Sequence, residues 1–106
     1  MECKVNFVDI ELKKSFEELE KSDPRLHKEI QKAVKDICQN SFSGRNVKKD
    51  LIPRELIQKY EIGNLWIYNL RKDWRLIYSL GKDEIELIAV ILDWMNHKDY
   101  DRLFGF

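Results

Sequence analysis

Residues 85–106 read IELIAVILDWMNHKDYDRLFGF, and the two halves of this stretch obey different physics. Ile85 to Leu92 is almost wholly apolar and rich in β-branched residues. It is too short to span a membrane and suits a strand buried on both faces in the middle of a sheet. The run ends at Asp93-Trp94-Met95. Asn96 then opens a short helix, with Asp99 as its capping-box partner and with Asp99 and Asp101 at the positive end of the helix dipole. Tyr100, Leu103 and Phe104 share one helical face, and Gly105 can end the helix. A central strand therefore delivers a His, a Lys and a Tyr to one end of a sheet.

Upstream, two runs have strand periodicity. Leu65–Leu70 places Trp66, Tyr68 and Leu70 on one face. Trp74–Leu80 places Trp74, Leu76, Tyr78 and Leu80 on one face and Arg75, Ile77 and Ser79 on the other. Arg71-Lys72-Asp73 turns between them, and Gly81-Lys82-Asp83 is the expected second turn. Further upstream, Lys4–Ile10 reads as an opening strand. Leu12, Phe16 and Leu19 make Glu11–Lys21 an amphipathic helix. Asp23 caps a second helix that starts at Pro24, with Leu26, Ile30, Val34 and Ile37 as its stripe and Ala33 and Cys38 beside it. Gln39–Ile52 has no clean period and reads as a loop, basic at Arg45, Lys48 and Lys49. Pro53 can open one more short helix with Leu56, Ile57 and Tyr60 inward, ended by Gly63. Helices precede a run of strands joined by tight turns. The expected class is α+β: an N-terminal strand, a helical hairpin, a mainly antiparallel sheet of three consecutive strands and a short C-terminal helix.

Length and charge narrow the function. A chain of 106 residues, 43% of them hydrophobic, is expected to be one domain over residues 1–106. Lys and Arg number 19, as do Asp and Glu, so composition alone carries no nucleic-acid signature. The distribution is uneven: Ser41–Leu80 has a net charge of +4 and the remainder −4. A basic middle in an acidic surround suits an anionic partner. Two cysteines, Cys3 and Cys38, make no disulfide framework, and Cys38 reads as a buried thiol. With no signal-peptide pattern and no apolar run of membrane length, the expected location is the cytoplasm, with no membrane partner. Two His, two Cys and scattered Asp show no ligand spacing, so no metal and no cofactor are expected. His27, in the helical hairpin, reads as structure.

Trp74-Arg75-Leu76-Ile77-Tyr78, a buried strand, and His97-Lys98-x-Tyr100 directly after it form a recognisable set. The W/Y-R-L/V-I/V-Y strand followed some twenty residues later by H-K/R-x-Y resembles the RelE/ParE superfamily of type II toxins. The likeness spans the chain by element order and is concentrated in Leu65–Phe106. It implies a toxin paired with an acidic antitoxin protein in a hetero-oligomer. In the RelE branch it further implies an mRNA-cleaving endoribonuclease, possible on the ribosome, with catalytic roles on Arg75, His97 and Tyr100. Lys48, Lys49, Arg71 and Lys98 would bind RNA phosphate. RelE carries lysines where this chain has Trp66 and Tyr68, and this chain has no net positive charge. ParE-like toxins share the fold and bind DNA gyrase without catalysis, so that reading stands as the alternative, beside an inactive relic that only binds antitoxin.

The residue chemistry fits RNA cleavage without a metal. The 2′-hydroxyl attacks the adjacent phosphate, which needs a base, cations for the charge on phosphorus and an acid for the leaving 5′ oxygen. Arg75 can grip a phosphate bidentately. His97 at a helix N-terminus is biased toward neutral imidazole, the form of a base. Lys98 and the free N–H groups there favour a phosphate. Tyr100 can stack on a base or hold the phosphate, and its place beside Leu103 and Phe104 fits packing equally well.

Overall fold

Alternating and β-branched runs fix the sheet, and cap residues fix the helices that cover it. The computed structural model describes residues 4–82 and 87–105. In chain order it holds β1 (Lys4–Phe7), α1 (Ile10–Ser22), α2 (Pro24–Gln39), β2 (Arg45–Asn46), a 3-10 turn (Lys49–Leu51), α3 (Arg54–Tyr60), β3 (Trp66–Asn69), β4 (Trp74–Lys82), β5 (Leu87–Asn96) and α4 (His97–Phe104). The strands form one sheet in the order β1-β5-β4-β3-β2. β2, β3, β4 and β5 pair antiparallel in turn, and β1 lies parallel to β5. The α+β class, the opening strand, the helical hairpin, the three consecutive antiparallel strands and the short last helix stand as the sequence predicts.

The caps are the ones the sequence offers. Asp9 accepts the Leu12 N–H and Asp23 accepts the Leu26 N–H, with Pro24 opening α2 where a missing N–H costs nothing. Asn96 accepts the Asp99 N–H at 2.9 Å, and Gly105 ends α4 at φ 77°, in the left-handed region that glycine tolerates.

The sheet has two covered faces. Against α1 and α2 lie Leu70, Leu76, Tyr78, Ala89 and Ile91, packed with Leu26, Ile30, Ala33 and Ile37. Trp66, Tyr68, Trp74 and Trp94 border that core. The Tyr68 hydroxyl donates to Asp36, and its phenol is pushed up to about 12, first by burial and then by the Asp36 carboxylate. Against α3 and α4 lie Leu65, Ile67, Ile77, Leu92 and Met95, with Ile52, Leu56 and Tyr100. β5 is thus apolar on both faces, as a strand between two others must be. Its register with β4 shifts: Ile77 opposes Asp93 while Tyr78 opposes Ile91, leaving Leu92 as the extra residue. This bulge resets the alternation, so Trp94 faces the helical hairpin and Met95 faces α4.

Several expectations are corrected. The loop expected over Gln39–Ile52 contains β2 and the 3-10 turn. A two-residue strand has no period of its own, and β3 supplies the partner that makes it one. Asp93-Trp94-Met95 do not end the central strand, because Trp74–Ile77 pair with Asp93–Asn96 and carry it on. Gly81 and Lys82 continue β4 opposite Ile88 and Leu87, and Asp83 lies outside the described residues. Ile57 is 40% exposed, since the single inward stripe of α3 is filled by Leu56 and Tyr60. α3 ends at Tyr60, with Glu61 at φ 53° as its cap, before Gly63 is reached. Cys38 is exposed and disulfide-bonded, not a buried thiol, because Ala33 and Ile37 take the inward positions of the last turns of α2. Cys3 lies outside the described residues. His27 does have surroundings: it is buried, and its ring stacks on Phe16 at 4.4 Å.

Candidate functional site

The face away from the helical hairpin carries the cations. Arg75 opposes Met95 across β4–β5 and Asn69 across β3–β4, so it projects from the same face as Ile67, Ile77 and Met95. Arg45 opposes Ile67 across β2–β3 and therefore shares that face. α4 lies over it and lowers Tyr100 between the two arginines. The Arg75 guanidinium stands 5.6 Å from the Tyr100 ring centroid, and Arg45 Nη2 donates to the Tyr100 hydroxyl at 3.2 Å. Arg75 is half-buried and spends one further donor, Nη1, on the Trp74 carbonyl at 3.2 Å. Tyr100 is only 6% exposed, and its ring packs on Phe104 at 4.6 Å. Both guanidiniums are oriented by one aromatic ring, a cation–π contact on one side and a hydrogen bond on the other.

His97 is the first residue of α4, with a side chain 55% exposed, and its Nε2 lies 3.0 Å from Asp101 Oδ2 one turn on. In its neutral form the ring donates Nε2–H to that carboxylate, which leaves Nδ1 as the acceptor nitrogen. Lys98 is exposed beside it. Lys48 lines a groove of about 340 Å³ with Arg45, Val47, Leu51, Ile67, Tyr100 and Phe104. Lys49 is exposed on the 3-10 turn next to it. The structure thus brings Arg75, Tyr100 and Lys48 together and puts His97 and Lys98 at the start of the same helix. Arg71 is not brought there. It sits on the α2 side, its backbone N–H donating to Glu29 Oε1 at 2.9 Å.

Arg45 is the member that sequence reasoning left out of the site. It stood in the sequence only as one basic residue of an aperiodic loop. Its placement depends on a lock that crosses the sheet. The Tyr78 hydroxyl, rising from the core under α2, donates to the Ser41 carbonyl and accepts the Gly44 N–H, both at 2.9 Å. A Cβ at Gly44 would lie 2.7 Å from that hydroxyl oxygen and 2.8 Å from the Ile67 carbonyl, so only glycine fits. Burial pushes the Tyr78 phenol up, and the Gly44 N–H opposes it. Gly44 immediately before a cation is the signal that would have found Arg45.

Beyond the other side of α4, Asp93 is half-buried beside Lys59, Glu55 and Asp99 in a groove of about 310 Å³. Burial raises its carboxyl above the ordinary value, while the Trp94 N–H and Lys59 pull it back. Among the described residues no three His, Cys, Asp or Glu side chains gather as metal ligands. No helix among them is long and apolar enough to cross a membrane.

No protein-family model matches this chain, and no curated protein does. A solved structure does: a YoeB/ParE toxin from Agrobacterium tumefaciens superposes with a TM-score of 0.62. The fold is that of a YoeB/ParE toxin. The likeness covers 89% of this chain and 98% of the other, at 14% identity. At that identity the two chains share an architecture, and the side chains must be argued on their own. The resemblance drawn from Trp74–Tyr78 and His97–Tyr100 therefore holds at the level of the fold.

Proposed function

We propose that this chain is the toxin of a type II toxin–antitoxin pair and a metal-independent endoribonuclease acting on mRNA in the cytoplasm. The observation that carries the reading is the convergence of Arg45 and Arg75 on Tyr100, on the one sheet face not covered by the helical hairpin. Two oriented guanidiniums suit a phosphate that gains negative charge during attack. His97 Nδ1 would take the 2′-hydroxyl proton as that oxygen bonds to phosphorus. The bond to the 5′ oxygen then breaks, leaving a 2′,3′-cyclic phosphate and a 5′-hydroxyl. The departing oxygen takes up a proton, for which exposed Lys98 is the candidate donor. Tyr100 holds both arginines, and its 6% exposure favours that role over stacking on a base. Lys48 and Lys49 would extend the contact along the RNA.

A second reading has its own support. The zero net charge and the engagement of the Tyr100 hydroxyl by Arg45 fit a ParE-like gyrase inhibitor, which needs no catalytic set. Induction in cells separates the two. Under the ribonuclease reading, mRNA is cut first, and Arg75→Ala and His97→Ala each lower cleavage on the order of 100-fold or more at matched protein levels, without unfolding the chain. Full growth arrest in both variants, together with inhibited gyrase supercoiling by the purified protein, would establish the second reading instead.

A further inference from the structure

Cys38 carries a covalent bond that the candidate site does not use. It is exposed near the end of α2, and it is disulfide-bonded. The sequence holds one other cysteine, Cys3, one residue before β1 begins at Lys4. A bond within one chain therefore has a single partner to take. The topology agrees with that pairing. β1 runs parallel to β5, and β5 and β3 both run antiparallel to β4, so Lys4 and Trp66 start their strands at the same end of the sheet. The end of α2 lies there too: Phe42, just beyond it, packs its ring 5.2 Å from that of Trp66.

Cys38 also stands inside the frame that orders the Arg45 loop. Two residues before it, the Asp36 carbonyl accepts the Asn40 N–H at 2.9 Å and the Ser43 hydroxyl at 3.1 Å. Two residues after it, Asn40 accepts the Phe42 N–H through its side chain and the Ser43 N–H through its carbonyl, both at 3.0 Å. Ser41 and Gly44 then meet the Tyr78 hydroxyl, and Arg45 meets Tyr100. The contacts of Phe42 and Ser43 are exposed, where water competes for them and a helix end frays. A cross-link at the last turn of α2 opposes that fraying.

We propose that the Cys38 disulfide is a reversible brace, formed with Cys3, that sets the order of the Arg45 loop and makes the grip on phosphate follow the surrounding thiol–disulfide balance. An exposed disulfide is open to attack by a thiolate, the trait of labile and regulatory bonds. In a reducing compartment such a bond is transient and reports the redox state. The step balances with glutathione as the couple. Two protein thiols and one glutathione disulfide give the protein disulfide and two glutathione thiols. The protein gives up two electrons and two protons, and glutathione takes them. Oxidation ties the end of α2 to the start of β1 and keeps Arg45 on Tyr100. Reduction lets the last turn of α2 fray and Arg45 leave its place. The consequence for phosphate rests on the proposed phosphate site; the brace itself does not.

The test uses the full chain, with inorganic phosphate as the probe. The protein is equilibrated at neutral pH over a series of ratios of glutathione to its disulfide, alkylated, and weighed without reductant. The expected curve is that of a two-electron couple reached from either direction, with the chain monomeric and one peptide pair cross-linked through Cys3 and Cys38. In isotope-labelled protein, reduction should move the amides of 40–46 and weaken phosphate binding about threefold or more. Cys38→Ser and Cys3→Ser should each fix the reduced behaviour at every ratio. Two free thiols at every ratio, or a bond that joins two chains, would overturn the proposal. Unmoved amides, or equal phosphate affinity in two forms that both bind it, would do the same. If neither form binds phosphate while the amides still follow the ratio, the phosphate-site reading fails and the brace stands. RNA cleavage takes no part in these readouts, so the ribonuclease reading is scored separately.

Discussion

Tyr78 and Tyr100 approach the same short loop from opposite faces of the sheet, and the use each makes of it differs. Tyr78 is fully buried beneath α2 and fixes the loop's backbone at Ser41 and Gly44. Tyr100 is nearly as buried beneath α4 and touches a side chain of the loop, the Arg45 guanidinium. The first is a sealed, uncharged contact. The second holds two cations at the edge of solvent, where a guanidinium keeps its charge and its remaining donors. One face of the sheet supplies rigidity to the loop, and the other turns that rigidity into a placed charge.

The comparison breaks most severely in the hairpin-side core. Leu76 has no exposed surface there, and Leu76→Ala should cost about 2–5 kcal/mol, read as a lower midpoint in urea. Under the ribonuclease reading, protein that remains folded should bind RNA like the unsubstituted chain, since Leu76 is on the face away from Arg75.

The lock itself comes next. Tyr78→Phe strands the Gly44 N–H and the Ser41 carbonyl, a loss of about 1–3 kcal/mol. Gly44→Ala, with its Cβ pressed on Tyr78 and the Ile67 carbonyl, should cost about the same through overpacking. Both should also weaken phosphate or RNA binding, because Arg45 leaves its place. Normal binding by a folded Tyr78→Phe variant would cut the link between the two faces.

Tyr100→Phe keeps the ring under Arg75 and removes the bond from Arg45. The stability loss should stay near 0.5–1.5 kcal/mol. Under the ribonuclease reading its mark should be on function, in weaker RNA binding with the folded core intact. A larger loss of stability than that of Tyr78→Phe would reverse the roles assigned to the two tyrosines.

The smallest effect is a pH arm on the α4 side. Burial raises the Asp93 carboxyl above the 3.8 of an unfolded aspartate, so the folded chain holds that proton more tightly. Its contribution is present below the unfolded value and is lost as pH rises through the raised one, leaving ionised Asp93 slightly destabilising at pH 7. Asp93→Asn should flatten that part of the stability profile and leave the thermal midpoint at pH 7 equal or slightly higher. A profile unchanged by the substitution would mean that Lys59 and the Trp94 N–H fully offset the burial.

The sequence by itself determined the elements whose signals are local. Period-2 runs placed β3 and β4 and sorted Arg75, Ile77 and Ser79 from Trp74, Leu76, Tyr78 and Leu80. Asp23-Pro24 and Asn96 set the starts of α2 and α4, and an unbroken β-branched run marked the central strand. Those signals lie within a few residues of what they determine. Only the tertiary structure decided that Arg45-Asn46 is a strand, that a bulge at Leu92 carries β5 on to Asn96, and that Arg71 faces α2 while Arg45 joins Arg75. It also decided that Tyr100 is a buried bracket between two cations. Each of these depends on a partner tens of residues away, and no local pattern encodes which edge of a sheet is open or which guanidinium a ring will meet. Arg45 and Tyr100 are 55 residues apart in the chain and share a hydrogen bond because β3, α4 and the Tyr78 lock bring them together.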